Sequence, residues 1–152
     1  MTKDRRKQWQ KDCINYSWSR CGRVAMIALT CLALNVYFEA RSEPIIAQFA
    51  VAQVTMNRVK SAQYPDNVCD VVWDNRQFSW TQDGKSDKPK EKAAWERAQW
   101  VAKTTLEDSD NSIDVVPWDT VHYHADYVKP YWVTACTRIT QIGRHIFYRR
   151  KL

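Results

Sequence analysis

Residues 24–38 carry no charge, and the stretch continues apolar on nearly every side to Arg41. That pattern predicts a helix enclosed by a core rather than one lying on a surface. Ser42-Glu43-Pro44 ends it, because the residue before a proline is pushed out of the helical region. Ile45, Phe49, Ala52, Met56 and Val59 then recur at three- and four-residue steps, the mark of an amphipathic helix with Gln48 and Arg58 off its stripe. Tyr64-Pro65-Asp66-Asn67 is a turn, and residues 68–73 form a short apolar stretch whose type the pattern leaves open. Residues 76–88 read as a polar loop anchored by Phe78-Ser79-Trp80. Pro89 opens a further helix, with Ala94, Ala98, Val101 and Thr105 on one stripe and Trp95 beside it. An acidic loop spans residues 109–119. Thr120-Val121-His122-Tyr123-His124 alternates as a strand with both histidines on one face, and residues 140–148 are its best partner strand. The class expected is α+β: mainly helical, with a small antiparallel sheet.

Length adds that 152 residues suit one domain with a single core. The 8 Trp and 7 Tyr are a large aromatic share, suited to core building and to flat contacts with sugars. The net charge of +6 is uneven. Residues 1–23 and 138–152 are both strongly basic and leave an acidic middle, so an anionic polymer is a candidate partner for the two ends. Residues 1–23 are set apart as a basic segment or helix from residues 24–152, the body of the domain. The uncharged run is too short to span a bilayer. It has the length of a signal-peptide core, but no small-residue cleavage site follows before the chemically dense stretch at Glu39. The five cysteines show no C-x-x-C pairing. Cys31 is expected to be a buried thiol, with a disulfide among the others the less favoured outcome.

Candidate chemistry concentrates in Tyr37-Phe38-Glu39-Ala40-Arg41-Ser42-Glu43. A carboxylate following so apolar a run is partly desolvated, which raises its pKa and lets it serve as an acid. Glu43 lies about one helical turn further on, and Arg41 would act in the opposite sense on Glu39. From these residues alone a solvated helix end with a local ion pair is the favoured reading. His122, His124 and His145 would suit zinc if they converged. No His-Glu-x-x-His signature accompanies them, however, and no metal or cofactor is expected.

The ordered blocks Glu39-Ala40-Arg41-Ser42-Glu43-Pro44, Ala47-Gln48-Phe49-Ala50-Val51-Ala52, Asn57-Arg58-Val59, Tyr64-Pro65, Val68-Cys69-Asp70-Val71-Val72, Gln77-Phe78-Ser79-Trp80, His122-Tyr123-His124, Pro130-Tyr131-Trp132 and Ile142-Gly143-Arg144-His145-Ile146-Phe147-Tyr148 resemble the SleB-type cell-wall hydrolases, the spore-cortex-lytic enzymes. The resemblance covers about residues 30–148. It implies a lysozyme-like catalytic domain acting on peptidoglycan glycan strands, with Glu39 as catalytic acid. The usual motif has Gly where this chain has Ser42, which bears on the turn before Pro44.

A single acid at Glu39 favours a lytic transglycosylase cutting the MurNAc–GlcNAc bond. A hydrolytic muramidase, an amidase, and a non-catalytic basic module binding cell wall or nucleic acid are the rivals. Glu43, His122, His124 and Tyr123 are supporting candidates, and Phe78, Ser79, Trp80, Trp132 and Tyr148 are candidate substrate contacts. The chain is expected to act as a monomer on bacterial peptidoglycan, without nucleic acid. Anionic envelope polymers are further partners through the basic ends. A bare domain of this kind fits a phage endolysin released through a holin.

Overall fold

The structure, a computed structural model, describes residues 18–75, 77–108, 110 and 112–151, with side chains from Met26 onward. Residues 1–17 of the basic N-terminal segment lie outside it. The elements are helix α1 (Trp18–Ala40), α2 (Ile45–Lys60), α3 (Val68–Trp73), a 3₁₀ turn at Ser79–Gln82, α4 (Lys92–Glu107), strand β1 (Thr120–Ala125), a 3₁₀ turn at Tyr131–Ala135, β2 (Cys136–Ile142) and β3 (His145–Arg150). The sheet is antiparallel in the order β1-β3-β2. This is the α+β, lysozyme-like class expected from the sequence. Among the described residues no helix is long and apolar enough to cross a membrane.

Helix α1 runs unbroken across position 23 and carries the core on its second half: Leu32, Ala33 and Val36 are fully buried, whereas Met26 and Ile27 are exposed. Around it, Val72, Phe78, Trp80, Ala98 and Val101 close one hydrophobic cluster. A second cluster, with Ala50, Val51, Val54 and Phe147, joins α2 to the sheet. Tyr123 packs against both, which places it at the junction of helices and sheet. The stripe on α4 is buried as expected, but that helix starts at Lys92 rather than at Pro89. The undetermined stretch is helix α3, whose first turn Asn67 caps by accepting the Asp70 N–H at 2.9 Å.

Three expectations need correction. Residues 140–148 are not one strand but part of a hairpin, because Gly143 adopts φ +57° and turns β2 into β3. Gln48 and Arg58, off the predicted stripe, are nevertheless buried: Gln48 Nε2 donates to Glu43 O at 3.1 Å while its Oε1 has no partner among the described residues, and Arg58 Nε donates to Val121 O at 2.8 Å. Cys31 is not a thiol. It forms a disulfide with Cys69 that ties α1 to α3, while Cys136 is free and buried.

The Cys31–Cys69 link closes a long loop, so it restricts the unfolded chain by about 3–4 kcal/mol. Urea denaturation of the C31S/C69S double variant should show a loss of that order, and added reductant should lower the wild-type midpoint more than the variant's.

Candidate active site

Glu39 lies in the last turn of α1, and that turn holds no basic residue. The negative end of the helix dipole therefore adds to the cost of ionising it. Its carboxylate faces a cleft of about 1090 Å³. Across the cleft floor the Tyr123 hydroxyl donates to Glu39 Oε2 at 2.9 Å. Burial raises the Glu39 pKa, and the Tyr123 hydrogen bond and the Arg58 charge pull it partly back. Tyr123 in turn is raised, first by its own burial and then by the Glu39 charge, so its phenol stays protonated and remains a donor.

The cation acting on Glu39 is Arg58, not Arg41. Arg41 Nε bonds Glu91 Oε1 at 3.0 Å, and its guanidinium lies 5.1 Å from the Tyr37 ring centroid. Arg58 is 5% exposed, has no carboxylate within ion-pair distance among the described residues, and sits between the rings of Tyr64 and Phe78 at 5.3 and 5.0 Å. Its Nη1 donates to Gln77 Oε1 at 3.4 Å. It is the charged neighbour of Glu39 that sequence patterning missed; its place off the predicted apolar stripe of α2 was the available signal.

The cleft walls come from three places. Phe38 stacks on Trp80 at 4.8 Å, and both line the cleft with Phe78 and the exposed Ser79. Phe78 and Trp80 are only 2% and 6% exposed, and Trp80 Nε1 donates to buried Asn35 Oδ1 at 3.0 Å. They are core residues presenting an edge. The loop before α4 forms a second wall, pinned by Tyr37, whose hydroxyl accepts the N–H groups of Lys90 and Glu91, both at 3.1 Å. Ala125, Tyr127 and Val128 form the third.

Other expected site residues lie elsewhere. His122, Trp132 and Tyr148 are outside the cleft lining, on the opposite face of the sheet from Tyr123, because β1 alternates. There Trp132 packs on His122 and His124 at 5.1 and 5.7 Å and on Tyr148 at 5.5 Å. Trp132 and Tyr148 are therefore corrected from substrate contacts to packing partners. His124 reaches the cleft rim, but both ring nitrogens are engaged. A carbonyl can only accept, so Nδ1 donates to Ala125 O at 2.7 Å, and Nε2 accepts the Tyr148 hydroxyl at 2.9 Å. Burial and the Arg58 and Arg150 charges lower His122 to about 4, so it is neutral at pH 7. His145 points to the Tyr123 face, with ring centroids 5.2 Å apart, so the three histidines do not converge.

Glu43 is neither a second acid on the cleft lining nor a helix cap. Its Oε2 accepts the backbone N–H of Arg144 at 2.9 Å, and α2 has no side-chain cap. With Ser42 in place the turn still closes, through Glu43 N to Ala40 O at 3.0 Å.

Glu39 thus sits at a helix end, hydrogen-bonded by a phenol, in a cleft walled by aromatics. The chain belongs to the cell wall hydrolase family, which matches residues 42–148. It is 34% identical over 116 residues to a spore cortex-lytic enzyme of Oceanobacillus iheyensis and 33% identical to one of Bacillus cereus. These matches cover 76% of this chain but only 39% and 42% of those relatives, so the chain spans well under half their length. Among solved structures it resembles the catalytic domain of the Bacillus cereus SleB protein, with a TM-score of 0.64 and 29% identity over 80% of this chain and 89% of that one. The catalytic domain of the germination-specific lytic transglycosylase SleB from Bacillus anthracis gives the same score and identity, with 93% of that chain covered.

The raised Glu39 pKa makes a stability prediction. The folded state holds the Glu39 proton to higher pH than the unfolded chain, so ionising it costs stability. E39Q and wild type should melt alike at low pH, where both are neutral. The variant should gain over wild type as pH rises from the ordinary carboxylate range through the raised pKa. Melting curves across pH check this; a constant difference would contradict it.

Proposed function

We propose that this protein degrades bacterial peptidoglycan, cutting the MurNAc–GlcNAc bond as a lytic transglycosylase with Glu39 as its single acid and base. The observation that carries this reading is the desolvated Glu39 held by Tyr123, the one acid of the cleft lining that is not exposed. The other acids lining the cleft are Asp83, Asp87 and Glu91, all exposed on the loop before α4, with Glu91 matched to Arg41. A hydrolase working by two carboxylates needs its second one roughly 5–9.5 Å from the first, and Glu43, the acid nearest in sequence, is committed to Arg144.

The protonated Glu39 donates to the glycosidic oxygen, and the bond from that oxygen to MurNAc C1 breaks. Positive charge develops on the sugar ring, where the substrate's own N-acetyl group meets it. The MurNAc C6 hydroxyl then closes on C1, and Glu39, now a carboxylate, takes its proton. No water is consumed, and the product ends in a 1,6-anhydro sugar. Arg58 and the Tyr123 hydroxyl stabilise the ionised Glu39 between the two steps, so one group can serve in both directions.

The protein is proposed to act as a monomer and outside a reducing cytoplasm. The Cys31–Cys69 disulfide supports the second point, and that setting fits an endolysin role. The basic ends supply contacts to anionic envelope polymers.

E39Q keeps the shape of the side chain and removes its proton. Lysis of purified sacculi, followed by turbidity, should fall by a factor of about 10²–10⁴ with an unchanged circular dichroism spectrum; retained lysis would sink the assignment. Y123F should raise the Glu39 pKa further, since it deletes a hydrogen bond to the charged form. The pH at which lysis is fastest should therefore move upward, and an unmoved profile would remove Tyr123 from the mechanism.

A further inference from the structure

Tyr127 is 73% exposed yet lines the cleft, just beyond the end of β1. An exposed aromatic is common; one held in place from below is not a random surface residue. The Arg144 guanidinium lies 5.1 Å from its ring centroid. That guanidinium is fixed in turn, donating to Asp126 Oδ1 from Nε at 3.3 Å and from Nη2 at 3.2 Å. The Arg144 backbone is fixed as well. Its carbonyl accepts the Asp126 N–H at 2.8 Å, and its N–H donates to Glu43 Oε2 at 2.9 Å. Gly143 permits this approach, because a Cβ there would collide with Glu43 Oε2 and approach Pro44 Cδ to 3.1 Å.

A chain of contacts thus runs from the turn after Glu39, through Glu43 and Arg144, to the Tyr127 ring. One face of the ring is backed by a cation, and the ring borders the cleft that holds Glu39. Flat aromatic faces suit the C–H faces of pyranose rings, and a ring fixed before binding loses little entropy on contact.

We propose that Tyr127 is a glycan subsite on which a pyranose ring of the strand stacks, and that Glu43 is the positioning residue that builds it. The subsite rests on the glycan-cleaving reading above and adds to it where the strand runs: past Glu39 and along the sheet-side rim. It also gives the second acid of the motif a use that involves no proton transfer.

The test uses the full chain carrying E39Q, titrated with purified soluble MurNAc–GlcNAc strands and followed by intrinsic fluorescence or calorimetry. Adding Y127A should weaken binding about tenfold, as truncation of an aromatic anchor typically does, whereas Y127W should retain it. Because Tyr127 is exposed, Y127A should melt with its parent. Adding E43A should weaken binding to a similar degree, and E43Q, which keeps a carbonyl acceptor for the Arg144 N–H, should restore most of it. Binding by Y127A within twofold of its parent overturns the subsite and leaves the catalytic reading standing. Equal binding by E43A and its parent overturns the positioning role. If E39Q fails to bind the strands and the wild type fails to cut them, the catalytic reading falls and takes the subsite with it.

Discussion

The hydrogen bond from Tyr123 to Glu39 is the interaction on which the rest depends, because it joins the two halves of the fold at the proposed point of chemistry. Glu39 comes from the end of an apolar helix; Tyr123 comes from the first strand, over eighty residues later. Each is costly alone. A carboxylate among apolar groups at a helix C-terminus resists ionisation, and a buried phenol without a partner loses its hydration. Together they satisfy one another, and the two hydrophobic clusters meet at Tyr123. Packing fixes the distance; burial raises the proton affinity of Glu39, and the hydrogen bond offsets part of that rise.

Around that bond the structure separates jobs that the sequence places side by side. Glu39 and Glu43 are one helical turn apart in number, yet one faces the cleft and the other clamps the turn at Gly143-Arg144. His122, Tyr123 and His124 are consecutive, yet only Tyr123 touches the acid. His122 is held on the far face by Trp132 and Arg150, and His124, at the cleft rim, is stacked on Tyr148. Arg58 belongs to a helix that reads as amphipathic, yet it is buried with no carboxylate within ion-pair distance among the described residues, and its charge acts on Glu39 and His122. Alternation along a strand and rotation along a helix decide these assignments.

What was legible in the sequence was local and periodic. The core helix ending near Glu39, the stripe of α4 and the alternation of β1 are set by residues a few positions apart, so pattern alone reaches them. The hairpin was missed because Gly143 sits inside an otherwise strand-like run, and one glycine decides between a strand and two. The Cys31–Cys69 link and the partners of Gln48 and Arg58 were missed because each depends on a group far along the chain. At the site, the apolar run before Glu39 left a solvated helix end open and only the motif resemblance singled that carboxylate out, whereas Tyr127 and Trp132 are both aromatics near the sheet and only the structure separates rim from far face.

The central claim is that one carboxylate performs both proton transfers, with the substrate's own hydroxyl as nucleophile. Mass spectrometry of sacculus digests made in ¹⁸O-labelled water tests it most directly. The account predicts muropeptides ending in 1,6-anhydro-MurNAc with no label incorporated at the cleaved end. Labelled reducing ends, or freed stem peptides on uncut glycan, would contradict it.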